Sequence, residues 1–143
     1  MRPSSRVTVA VHILTLLAHE ASGGAAMTSE YIAGSVNTNA VVIRRLLALL
    51  RKAALVRSQG GPGGGWHLVV PAGRITLRDV YRAVEPEPLF PLHAGAPNPR
   101  CPVGRTIQAA LGGPYEEARL AVERSLDRTT IATLLQEVRT LAR

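Results

Sequence analysis

At 143 residues the chain has the size of one domain with a core of its own. Hydrophobic residues make up 46% of it, which excludes a disordered chain, and aromatics only 3%, so the core is aliphatic and favours helices. The formal charge is +7, carried almost entirely by arginine, the side chain best shaped to fork onto phosphate and guanine.

The first predicted element is a helix over 6–20, "RVTVAVHILTLLAHE", with Val7, Ala10, Val11, Leu14, Leu17 and Ala18 at helical spacing and Ser5 available as N-cap. With its basic start and trailing small residues, this region has the layout of a secretory signal. His12 within the apolar run and His19-Glu20 directly after it argue against that layout. Gly23-Gly24 ends the helix, and "MTSEYIAGSV" opens a second, short one at Thr28 or Ser29. A polar turn, Asn37-Thr38-Asn39, leads into "AVVIRRLLALLRKA", a third helix over about 40–53. Two helices joined by a capped turn, the second amphipathic and basic, form a helix-turn-helix pattern.

A strand at 55–58, "LVRS", and another at 66–70, "WHLVV", flank a loop of glycines around Pro62. A phosphate-cradling loop needs Gly-Lys-Ser/Thr followed by a helix, and here a strand follows with no Lys-Ser/Thr. Gly63-Gly64-Gly65 instead suit a hairpin with positive φ angles and a bare tip, able to lie close to a DNA backbone. The pattern is that of a winged helix. A short helix capped by Thr76 follows at 75–85, then proline-rich 86–102 as a loop or linker. Helices are expected near 102–111, 114–127 and 129–141. The fold class is therefore mainly α with a small β-hairpin. A winged helix-turn-helix domain spans 1–85, a loop 86–102, and a helical region 103–143.

On a helical wheel Ile43, Leu46, Leu47 and Leu50 share one arc, while Val41, Arg44, Arg45, Ala48, Arg51 and Lys52 share the other. In a major groove, Arg44 and Arg45 reach guanine edges, Val41 meets a thymine methyl, and Arg51 and Lys52 face phosphates. Thr28, Ser29, Thr38 and Asn39 lie at helix N-termini, where hydroxyls and free N–H groups bind phosphate oxygens. Double-stranded DNA is the expected partner.

The stretch from Ile32 to Glu85 resembles the Rrf-two family of bacterial transcription regulators through "IA" at 32–33, "RRLLALLRKAALVRS" at 44–58, "GPGGGWHL" at 61–68 and "ITLRDVYRAVE" at 75–85. The resemblance implies a homodimeric winged-helix DNA-binding protein; a repressor acting by occlusion is the expected role, and a chain with one cysteine fits a reducing cytoplasm. The resemblance also implies that a long helix, here including "YEEARLAVERSL" at 115–126, crosses its twin. Ala118, Ala121, Val122, Ser125 and Leu126 form a small-residue stripe suited to such a crossing or to packing within one subunit. Many family members carry an arginine just before Gly-Pro-Gly-Gly-Gly, where it enters the minor groove; this chain has Gly60 there, followed by Gly61, with Gln59 beside it as a weaker substitute. Cluster-binding members use three cysteines in the loop after the wing, and this chain has one. An iron–sulfur cofactor is therefore not expected, although two subunits pooling their cysteines with His93 is the alternative form.

That single cysteine, Cys101, precedes Pro102, a residue suited to the first helical position, which places Cys101 at an N-cap. There the helix dipole and Arg100 favour negative charge on sulfur, the setting of a thiol sensor; a small buried residue with no chemistry is the plain alternative. The histidines stand at no metal-ligand spacing, and no effector is legible. Enzyme chemistry through Cys101 lacks a His/Asp/Glu arrangement, because Glu116, Glu117, Glu123 and Asp127 read as a solvated helix face. A winged helix used for protein docking is the third alternative, and an acidic outer face would suit it better than this basic one.

Overall fold

The computed structural model describes residues 4–143. Its elements are α1 Arg6–Glu20, α2 Ser29–Val36, α3 Ala40–Lys52, β1 Val56–Gln59, β2 Gly65–Leu68, α4 Leu77–Val84, α5 Pro102–Leu126 and α6 Ile131–Leu141, with short 3-10 turns at Ala21–Gly23 and Ala72–Arg74. The basic start at residues 1–3 lies outside the described residues. The apolar stretch after it belongs to the core, since Ala10, Ile13, Leu14 and Leu17 of α1 are buried.

Local chemistry sets the helix ends. Thr28 Oγ1 accepts from the Tyr31 N–H at 3.1 Å and starts α2. The chain leaves α2 through Asn37 at φ +62°, a left-handed position that asparagine tolerates. Asn39 Oδ1 then accepts from the Val41 N–H at 2.8 Å and starts α3. At the far end of α3 the N–H of Leu55 donates to Leu50 O and that of Ala54 to Arg51 O, a Schellman closure. Its left-handed position, φ +60°, is occupied by Ala54. Thr76 and Asp79 form a reciprocal capping box at α4.

The hairpin pairs antiparallel, with Val56 opposite Leu68, Arg57 opposite His67, Ser58 opposite Trp66 and Gln59 opposite Gly65. Its second strand ends at Leu68 rather than Val70, as the chain turns toward Pro71 and the 3-10 turn. A bridge from Met27 to Trp66, with backbone hydrogen bonds of 3.3 and 2.8 Å, adds a third short rung that ties the hairpin to the α2 entrance. Gly65 makes that approach possible: at φ +152°, a Cβ there would lie 2.5 Å from Met27 O.

One core joins these elements. Ile13 and Leu14, Ile32, the α3 residues Ile43, Leu47 and Leu50, and Ile75, Val80 and Ile131 are buried in a single cluster. Ile131 comes from α6, which returns across the whole chain: its N–H donates to Ile75 O at 2.8 Å, and the Leu77 N–H donates to Thr129 O at 2.9 Å.

The expected break near residue 112 is corrected, because α5 is one helix of 25 residues with Pro114 inside it. Proline removes the hydrogen bond to the Ala110 carbonyl. Ala110, Gly112, Gly113 and Pro114 are all exposed, so that carbonyl faces water and the helix continues. At 1.5 Å per residue, α5 is about 37 Å long. The loop before it is held by Phe90, whose ring stacks on Tyr115 at 5.2 Å between centroids.

Candidate nucleic-acid interface

The amphipathic split of α3 sends Ile43, Leu46, Leu47 and Leu50 into the core. Fixing that arc inward forces Val41, Arg44, Arg45, Ala48, Arg51 and Lys52 outward, and all six are exposed. Val41 keeps 43% of its surface open to solvent. The sequence-predicted cations therefore converge on one open face. The hairpin tip, with Gln59, Gly60 and Gly61, is also exposed.

The cations differ in their surroundings. The Arg44 Nη1 donates to Glu30 Oε1 at 3.2 Å and, more weakly, to Ser29 Oγ at 3.4 Å. The Arg51 guanidinium lies 5.7 Å from the centroid of the Trp66 ring, which links α3 to the hairpin by a cation–π contact. Gln59 Oε1 lies 3.1 Å from His67 Nε2 across the hairpin, which restrains the tip side chain.

Among the predicted phosphate-binding residues, Thr28 and Asn39 are exposed and spend their side-chain oxygens as caps, and Thr38 is half-buried. Ser29 departs from expectation. It is 8% exposed, and its hydroxyl donates to Glu30 Oε2 at 3.3 Å while accepting from Arg44. Its side chain is thus committed inside the protein rather than turned to a phosphate. The structure also brings forward Glu30, Tyr31 and Arg57, which the sequence reading passed over. Tyr31 is 55% exposed one helical step from Thr28, and strand alternation alone would have placed Arg57 outward.

Cys101 is exposed and occupies the N-cap of α5, with Pro102 at the first helical position. Among the described residues no three His, Cys, Asp or Glu side chains converge as a metal site. His93 turns its Nδ1 to the Gly95 backbone N–H at 3.0 Å. The donor set of one subunit does not fit an iron ion or a cluster. In the stripe on α5, Ala118, Val122 and Leu126 are half-buried and Ala121 and Ser125 exposed, so this face is partly covered within the chain and partly open.

The solvated-face expectation for Glu123 is corrected. It is 4% exposed and is the buried residue of α5, held by Arg82 at 2.5 Å and by Arg119. Hydrogen bonding from Arg82, reinforced by the charges of Arg82, Arg119 and Arg78, holds its carboxyl below the ordinary carboxylate value. The partners lie 41 residues apart in sequence or on the same helix, a combination no local pattern signals.

No helix among the described residues is long and apolar enough to cross a membrane. Comparison with known proteins bears on the whole chain. The family model for Rrf2, described as iron-dependent transcriptional regulators, matches residues 3–137. The chain is 45% identical over 124 residues to YwnA of Bacillus subtilis, a candidate HTH-type transcriptional regulator, covering 86% of this chain and 89% of that one. It is 30% identical over 86 residues to the HTH-type transcriptional regulator IscR of Cereibacter sphaeroides, covering 60% of this chain and 55% of IscR. The structure of CymR, the global cysteine regulator of Bacillus subtilis, superposes with a TM-score of 0.69 at 25% identity, covering 96% of this chain and 98% of CymR. With its winged-helix architecture and its open arginine face, the chain belongs to the Rrf2 family of DNA-binding transcriptional regulators.

Proposed function

We propose that this chain acts as a twofold homodimer that represses transcription by occupying promoter DNA. The observation that carries it is the open face of α3, with Val41, Arg44, Arg45, Arg51 and Lys52 together beside the exposed hairpin tip. One α3 enters each of two major grooves, Arg44 and Arg45 reading base edges from the N-terminal half of the helix. Arg51 and Lys52 contact phosphates, as do the N-termini at Thr28, Thr38 and Asn39. Gln59, Gly60 and Gly61 carry the hairpin along the backbone. Residues 1–85 form the reading head, with α6 packed into its core; 86–102 form the connection, and within 103–143 the dimerising contact falls to α5. The open part of the α5 stripe, Ala121 and Ser125, supports a helix crossing there, and twofold symmetry then sets half-sites one helical turn apart, ~34 Å, or a multiple of it.

Electrophoretic mobility shifts on the DNA upstream of the chain's own gene test this function. Retarded, sequence-selective complexes that weaken steeply with salt support it, and an absence of selectivity at any salt overturns it. Light scattering tests the dimer: Ala121→Arg places a charge in the stripe and is expected to give monomers.

No iron–sulfur cluster enters this mechanism, since one cysteine per subunit is a poor donor set. Cys101 is instead assigned as the responsive group, supported by its exposure at the head of the long α5 helix. Modification there alters the helix start and, through α5, the spacing of the two heads. Cys101→Ser is expected to abolish any change in DNA affinity produced by hydrogen peroxide; an equal peroxide response in that variant removes Cys101 from the mechanism.

A further inference from the structure

From Ser29 to Leu68 the cationic side chains are Arg44, Arg45, Arg51, Lys52 and Arg57, and the only acidic one is Glu30. It projects from the first turn of α2 with 71% of its side chain exposed. As an acidic residue in the first turn of α2, Glu30 favours the helix start through the helix dipole, and its exposed ion pair adds little to folding; neither accounts for its pairing with Arg44 on the face proposed to meet DNA. Its geometry is more specific than its exposure suggests. One oxygen accepts from Arg44 at 3.2 Å, while the other accepts from the hydroxyl of Ser29 at 3.3 Å. Ser29 is buried, and its hydroxyl lies within long hydrogen-bonding range of both the Glu30 carboxylate and the Arg44 guanidinium, so it joins the two side chains at their base.

We infer that Glu30 is a specificity-determining positioning residue: anchored by Ser29, it holds the Arg44 guanidinium in one orientation and penalises DNA that offers the pair no matching base edge. The inference rests on α3 being the reading helix. Arg44 gives one terminal nitrogen to Glu30 and keeps its remaining N–H groups for guanine O6 and N7. The carboxylate itself accepts only from a donor such as the cytosine amino group. On a sequence lacking these groups it meets phosphate charge with no compensation, which weakens non-specific binding more than specific binding. Discrimination is gained by making the wrong complex worse.

The test combines Glu30→Gln, Arg44→Ala and the double variant of the full chain. In vitro selection from a randomised duplex library is paired with anisotropy titrations on a random-sequence 30-base-pair duplex. Glu30→Gln is expected to bind the random duplex about three- to tenfold more tightly at low salt. It is also expected to lose preference at one base pair of each half-site. In the Arg44→Ala background the same substitution leaves the selected sequence unchanged. A selected sequence and random-duplex affinity equal to the wild type overturn the inference. So does a Glu30→Gln change in base preference that persists at full size without Arg44, since the carboxylate then acts alone. If the wild-type chain enriches no sequence at all, α3 is not a sequence-reading helix and both proposals fall together.

Discussion

Glu123 of α5 accepts a 2.5 Å hydrogen bond from the Nε of Arg82 on α4, and through this pair the long C-terminal helix is fastened to the winged head. Arg119 clamps the other carboxylate oxygen, Arg78 stands 4.0 Å away, and Asp127 balances Arg78. Removing the charge at 123 leaves three guanidinium groups crowded without their common partner, so Glu123→Gln is expected to lower the thermal midpoint at neutral pH by several degrees. The pH dependence follows from the sign of the shift. A carboxyl held below its ordinary value of about 4.5 contributes its full stabilisation above that value. The contribution is lost as pH falls through the lowered folded value. Melting curves of wild type and Glu123→Gln should therefore differ most near neutrality and converge in acid. A gap independent of pH would show that the carboxylate charge is not the stabilising feature.

Gly65 is the point where the hairpin touches Met27. Gly65→Ala puts a Cβ against the Met27 backbone at 2.5 Å in a conformation that L side chains rarely adopt. A loss of about 1–3 kcal/mol is expected from strain and from the severed bridge. Gly60→Ala is the control: it has open space and no positive φ, and should stay within about 0.5 kcal/mol of wild type. Urea denaturation of the two variants decides this, and equal stabilities would mean the hairpin is not held at Met27.

Ala54 runs the other way. It occupies the left-handed position of the α3 Schellman closure at φ +60° and is exposed. The strain of that conformation is relieved by glycine, partly offset by the greater freedom of the unfolded chain. Ala54→Gly should stabilise by about 0.5–1 kcal/mol. A denaturation midpoint lower than wild type would contradict it.

Ile131 has no exposed surface and packs in the cluster shared with Ile75. Ile131→Ala is expected to cost about 2–5 kcal/mol. Fluorescence of Trp66, which lies at the hairpin, should report that loss in the same single transition as circular dichroism. Two separate transitions would show that α6 folds independently of the head.

The reading head was legible from the residues alone. Helix periodicity, cap residues at 28, 39 and 76 and the glycine hairpin are local signals, because each depends on neighbours within a few residues. The direction of Arg45 or Lys52 followed at once, since an apolar arc on α3 must face inward and leaves the rest outside. Where local rules are weaker than context, the expectation failed: Gly112-Gly113-Pro114 reads as a break between two helices, yet on an exposed stretch the carbonyl that proline frees is open to solvent and the helix runs on.

Tertiary structure alone decided the fate of charges and of the chain's end. Glu123 looks like its acidic neighbours in sequence, and only the approach of α4 with Arg82 buries it. Ser29 and Glu30 are neighbours in sequence, but only the packing of α3 on α2 brings Arg44 to both of them. Ile131 becomes core only because α6 folds back to pair with Ile75. Local pattern records what a residue prefers, whereas ion pairs and long-range packing depend on which distant segment arrives beside it, and that is set by the whole core closing at once.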